Sequence, residues 1–175
     1  SNRRSAGAAL SAALLSLLPI IGLGSQLLIA RSVPAIHNIS TDVIDPPEFV
    51  RVRELRTPEH NPLAYDPAKL ADVQQAAYPE VQTLLSSMSK FEAHQRSLAI
   101  AEALGWEIVN EDPVAGIIEA TETTSLWEFK DDIVIRIREQ DNQVAVDLRS
   151  VSRVGQSDLG ANAKRIEKFL GAFTK

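Results

Sequence analysis

The sequence predicts an α+β fold: an antiparallel four-stranded sheet with helices packed on one face, preceded by an extended proline-rich segment and an N-terminal hydrophobic helix. Three observations point there. Asp131 to Gln140 and Gln143 to Ser152 alternate oily and polar residues on either side of Asp141-Asn142, a two-residue hairpin link. Leu159, Ala163, Ile166, Leu170 and Phe173 recur at helical spacing, with Lys164, Glu167 and Lys168 between them. The strands follow one another without intervening helices, so they form an antiparallel sheet and not a parallel one.

Residues Ser5 to Ala30 carry no charge, with Arg3 and Arg4 before them and Arg31 after. A helix of that length spans about 39 Å, enough for a ~30 Å hydrocarbon layer. Residues 1–31 therefore read as a transmembrane or signal-anchor helix. The arginine pair assigns its start to the cytoplasm and the rest of the chain to the extracytoplasmic, periplasmic side. Leu28-Ile29-Ala30 is a poor cleavage site, which disfavours a removable signal peptide.

Residues 32–66 hold Pro34, Pro46, Pro47, Pro58 and Pro62, a density that excludes a long helix or a central strand. They also hold Ile36, Ile39, Phe49 and Val52, too oily a set for a free tether. The segment reads as extended and packed on the α+β domain of residues 67–175. That domain opens with a short helix from Pro67 to Ala77, with Asp66 as its N-cap and Tyr78-Pro79 as its stop. Ser89 and Glu92 form a capping box for a second helix, in which Phe91, Leu98, Ala101 and Leu104 share a face and Gly105 closes the end. Strands are expected at Trp106 to Asn110 and Ala115 to Thr121, turned at Asp112-Pro113, and then in the hairpin. The last helix runs from about Asp158, with Ser157 or Asp158 as cap.

Composition narrows the function classes. A net charge of −5 argues against a nucleic-acid binder. With no cysteine and only His37, His60 and His94 scattered along the chain, neither a thiolate nucleophile nor a metal site is indicated, and no cofactor motif appears. Gly155-x-x-x-x-Gly160 has the glycine spacing of a phosphate loop but lacks the following Lys-Ser/Thr, and Asp158 sets negative charge where phosphate would sit. Asp131-Asp132 reads as a charge pair at a strand entry. His37, Ser40 and Asp42 are weak catalytic candidates, better read as a hydrogen-bonded turn.

The sharpest lead is the polar side of the sheet and the strand–helix turn after it: Glu119, Arg136, Asp147, Arg149, Arg153, Asp158 and Asn162. Arginine forks grip carboxylates or phosphates with two prongs. One reading makes this a surface for an anionic ligand or protein partner. Another makes it a solvated ion-pair lattice, with Asp158 paired to Arg153. In a third, the segment from Ile36 to Phe49 lies over it and uses the charges itself.

Several stretches together resemble a bacterial and plastid family, domain of unknown function 1499. They are Ile36-His-Asn-Ile-Ser-Thr-Asp42 with Asp45-Pro-Pro-Glu-Phe49, then Tyr78-Pro79, Gly105-Trp106, Ile118-Glu-Ala120 and Phe129-Lys-Asp-Asp132. The longest is Val146-Asp-Leu-Arg-Ser-Val-Ser-Arg-Val-Gly-Gln-Ser-Asp-Leu-Gly-Ala-Asn-Ala-Lys-Arg-Ile166. Asn38 stands where the family is expected to carry aspartate. The resemblance implies membrane helices ahead of the domain and brings no activity with it.

The sequence thus describes a membrane-anchored binding or accessory protein. It contacts lipid through residues 5–30 and a membrane protein complex or anionic ligand through its arginines. The alternatives are a hydrolase built on His37, Asp42 and the sheet carboxylates, and a structural subunit of a membrane assembly. The absence of a complete catalytic set favours the binding reading.

Overall fold

The computed structural model describes residues 32–124 and 128–175, so the predicted helix at 5–30 lies outside the described residues. No helix among the described residues is long and apolar enough to cross a membrane. The fold is α+β. Its strands are β1 (Asn38–Ser40), β2 (Leu84–Ser86), β3 (Glu107–Asp112), β4 (Ile117–Thr123), β5 (Lys130–Gln140) and β6 (Gln143–Ser152). Its helices are α1 (Pro67–Ala77), α2 (Lys90–Ala103) and α3 (Ala161–Phe173).

The sheet has six antiparallel strands, not the four expected. The four long ones form a meander, β3-β4-β5-β6. The two extra strands are three residues each and share the outer edge of β6: β1 pairs with its residues 149–151, β2 with its residues 144–146. Three residues hold too little of a two-residue period to reveal a strand in sequence.

Local chemistry explains the element ends. Asp141 and Asn142 both take positive φ, 49° and 65°, as a type I′ hairpin turn requires. Both bonds of the Ser89–Glu92 capping box form at α2. Asp66 is the N-cap of α1 by position, and its carboxylate pairs with Lys69 at 2.9 Å. The last helix starts three residues later than expected, after Gly160 at φ 81°. Asp158 still supports that start, accepting from the Gly160 and Asn162 amides at 2.8 and 2.9 Å. Gly116 is obligatory: at φ 75°, an added Cβ would sit 2.1 Å from the Ile137 carbonyl oxygen.

Ile133, Ile135 and Ile137 face α2 and α3 together with Ile118, Val146 and Leu148, and all of them are buried in one core. Trp106 stacks on Phe169 with ring centroids 5.8 Å apart. Phe91 is not part of this core. It is 67% exposed, and the inner face of α2 is instead Ala93, His94, Ser97 and Ala101. Phe91, the second residue of α2, falls off the face that these four residues share.

Candidate functional site

Strand alternation puts Glu119, Asp132, Arg136, Arg138, Asp147 and Arg149 on the side of the sheet away from the helices. That side is not a solvated lattice. The segment from Thr41 to Tyr65 straps across it, and Phe49 and Val52 reach under to make a second, small core with Val134 and Val151. Burying those four apolar side chains fixes the strap, and the charges beneath it must then be paired from within.

Arg149 is the centre of the face and is fully buried. Its guanidinium donates to Asn38 Oδ1 and the Pro47 carbonyl, each at 3.1 Å, and to the Leu63 carbonyl. The rings of Phe49 and Tyr65 lie 5.4 and 5.7 Å from its Cζ, a cation–π cage. Burial pushes its pKa down to about 10 and that of the Tyr65 phenol up to about 12.

Beside it, Asp147 is shared by Arg136 at 3.0 Å and Arg138 at 3.1 Å, and its other oxygen accepts from the Thr41 and Thr83 hydroxyls. The same two arginines hold Asp42 of the strap, at 3.3 and 3.1 Å, and Arg136 also holds Asp45. Burial works against the charge on Arg136, but Asp147 and Asp45 raise its pKa above the usual value. Glu119 accepts three strap amides, from Val50, Arg51 and Val52, at 2.7–3.2 Å, and the Asn110 amide as well. It thus plugs the N-terminal turn of the short 3-10 helix Val52–Leu55.

Arg153 pairs with Asp132 at 2.8 Å and not with Asp158, and Arg56 of the strap binds the same carboxylate. Burial opposes the Asp132 charge, but Arg153, Arg56 and Thr121 hold its carboxyl below the ordinary range. Asp131 points to the helix side and meets Arg165 at 2.6 Å. Asn162 joins that network, accepting from Ser150 Oγ at 2.6 Å and donating to Ser152 Oγ at 2.9 Å. Each expected site residue thus has a partner inside the chain.

His37 and Asp42 do not form a unit. Asp42 accepts the Ile44 and Asp45 amides as an Asx turn while binding the two arginines. His37 turns into a cleft of about 480 Å³, its Nδ1 3.5 Å from the Gln156 carbonyl. The cleft lies between residues 35–38, the strap's return at Asn61, Pro62 and Ala64, and the start of α1 at Asp66, Lys69 and Leu70. Its walls are apolar at Ile36, Pro62 and Leu70 and polar at His37, Lys69 and Gln156. Among the described residues no group of three potential metal ligands occurs.

Sequence reasoning missed Gln74, Lys69, Leu70, Arg56 and Arg165. Gln74 carried a faint signal: it falls four residues after Leu70 on the inward side of α1, a polar group where an apolar one is expected. It is fully buried, and its amide binds both the N–H and C=O of Ser40, at 3.0 and 2.7 Å.

These features define a small α+β domain that clamps its own proline-rich strap over a charged sheet face and leaves one mixed cleft open beside β1. The chain belongs to the DUF1499 family, described as a protein of unknown function, whose profile matches residues 38–173. A search of curated proteins found no match.

Proposed function

We propose that the protein is a membrane-anchored binding or accessory domain, held to the bilayer by residues 5–30 on the extracytoplasmic side, that engages a partner in the cleft beside β1. The observation that carries this reading is the cleft itself. It has the size and the mix of apolar wall and few polar groups typical of ligand sites, and it opens at a junction of three chain segments. Glu119, Arg136, Asp147 and Arg149 then serve the partner indirectly, by fixing the strap that supplies one wall. Arg153, Asp158 and Asn162 do the same for the turn that carries Gln156. The hydrolase alternative has less support, because no hydrogen bond among the described residues joins His37 to a carboxylate.

A photo-crosslinking residue at Pro62, on the exposed rim of the cleft, tests the reading in intact membranes, with exposed Glu102 of α2 as control. A discrete adduct from position 62 and none from 102 is the expected result. Identical patterns from both, or none from either, would overturn it.

A further inference from the structure

The cleft contains an unfinished rung of sheet. In the β1–β6 pairing, the Ser152 amide donates to the His37 carbonyl at 3.0 Å, and the Thr41 amide donates to the Leu148 carbonyl at 2.9 Å. Antiparallel alternation therefore turns the backbone N–H and C=O of Asn38 and Ser40 outward, away from β6. At Ser40 the rung is filled by the side-chain amide of Gln74, which supplies one donor and one acceptor as a neighbouring strand would. One helical turn earlier on α1 stands Leu70, which lines the cleft together with Asn38. Leucine has nothing to donate or accept. Among the described residues no hydrogen bond ends on the Asn38 backbone N–H or C=O, although Asn38 is only 2% exposed. Buried backbone groups in that state call for a partner.

Resting on the reading of this cleft as a binding site, we infer that the rung at Asn38, only 2% exposed in this structure, receives the main chain of an extended peptide segment from a partner protein when the Leu70 side chain gives way. The complement to one N–H and one C=O at strand spacing is a peptide unit, and Gln74 demonstrates the fit on the adjacent rung. An extended chain there sends alternate side chains to opposite sides. One side meets the apolar seat of Ile36 and Leu70. The rim carries the Lys69 ammonium, whose side chain is 81% exposed and pairs with Asp66 at 2.9 Å, so an acidic group on the peptide would compete with Asp66 for it.

The test uses the full chain in mild detergent, panned against a displayed library of random peptides. Enriched peptides are expected to pair an apolar residue with an acidic one at near spacing. They should slow hydrogen exchange at the Asn38 amide, and should bind Leu70→Gln at least about tenfold more weakly, because the new amide fills the rung. Lys69→Glu, a change at an exposed position, is expected to fold normally and to shift the enriched peptides from acidic to basic. Failure to enrich any peptide would overturn the inference. So would equal binding by a folded Leu70→Gln together with unchanged selection by Lys69→Glu. Protection of Asn38 by phosphatidylglycerol vesicles but by no peptide would assign the rung to lipid and overturn it as well. If position 62 crosslinks while no peptide enriches, the binding site stands and the peptide does not.

Discussion

The two faces of the sheet are held by different physics. Toward the helices, apart from the Asp131–Arg165–Asn162 network, isoleucine, valine and leucine pack without direction, and any well-shaped apolar neighbour would serve. Toward the strap, Arg149, Asp147, Glu119 and Asp132 each demand specific partners at specific angles, which the strap and neighbouring strands supply. The first face tolerates substitution by degree. The second fails by orphaning a buried group, so its errors are larger for a given change in volume.

The widest separation should come from Asp147→Ala set against Ile135→Ala. The first takes a buried carboxylate from two arginines, which keep Asp42, and from two threonine hydroxyls, and is expected to cost about 3 kcal/mol. The second leaves a cavity worth about 2–5 kcal/mol. The decisive contrast is coupling: Arg136→Met added to Asp147→Ala should cost less than the sum of the two single changes, because both break the same ion pair, while Arg136→Met and Ile135→Ala should add. Urea unfolding of the single and double variants measures this, and full additivity of Arg136→Met with Asp147→Ala would mean that the pair contributes nothing of its own.

A smaller effect is expected from Glu119→Gln, about 2 kcal/mol, because a carboxylate that accepts four N–H groups becomes an amide with one oxygen. Its loss should be local. Limited proteolysis should cut near Arg51 and Arg53 before the helix face loosens, whereas Ile135→Ala should release all sites together. Smallest is the acid limb. Asp132 has a folded pKa below its unfolded one, so its contribution is complete above about pH 4 and disappears as pH falls through the lower folded value. Asp132→Asn should flatten that limb of a stability–pH curve; an unchanged limb would remove Asp132 from the argument.

Much of the helix face was legible in sequence because it is periodic. Ile133, Ile135 and Ile137 and the Asp141-Asn142 turn announce strand, face and hairpin, and Ser89 with Glu92 announces a helix start. The strap face was legible only in half. Alternation shows which way Arg136 and Arg149 point but not what covers them, because contacts such as Arg149 to Leu63 depend on a nonperiodic path through four prolines. β1 and β2 were invisible because each is three residues long and identifiable only from its partner β6. The cleft was invisible for a related reason. Leu70 and Asn38 become neighbours only once α1 lies along β1, and the open rung comes from a side chain that is ordinary in itself.

The pairing of β1 with β6 also sets an order of events in synthesis. Asn38 leaves the ribosome early, and the Arg149 side chain that fixes it comes 111 positions later. Until the last hairpin and helix are made, the strap has no floor, and Phe49 and Val52 stay in water. Contacts this distant along the chain form slowly. A nascent chain would have to hold its strap unsnapped until its tail arrived. Any truncation before Ser150 would therefore damage the beginning of the protein as surely as its end.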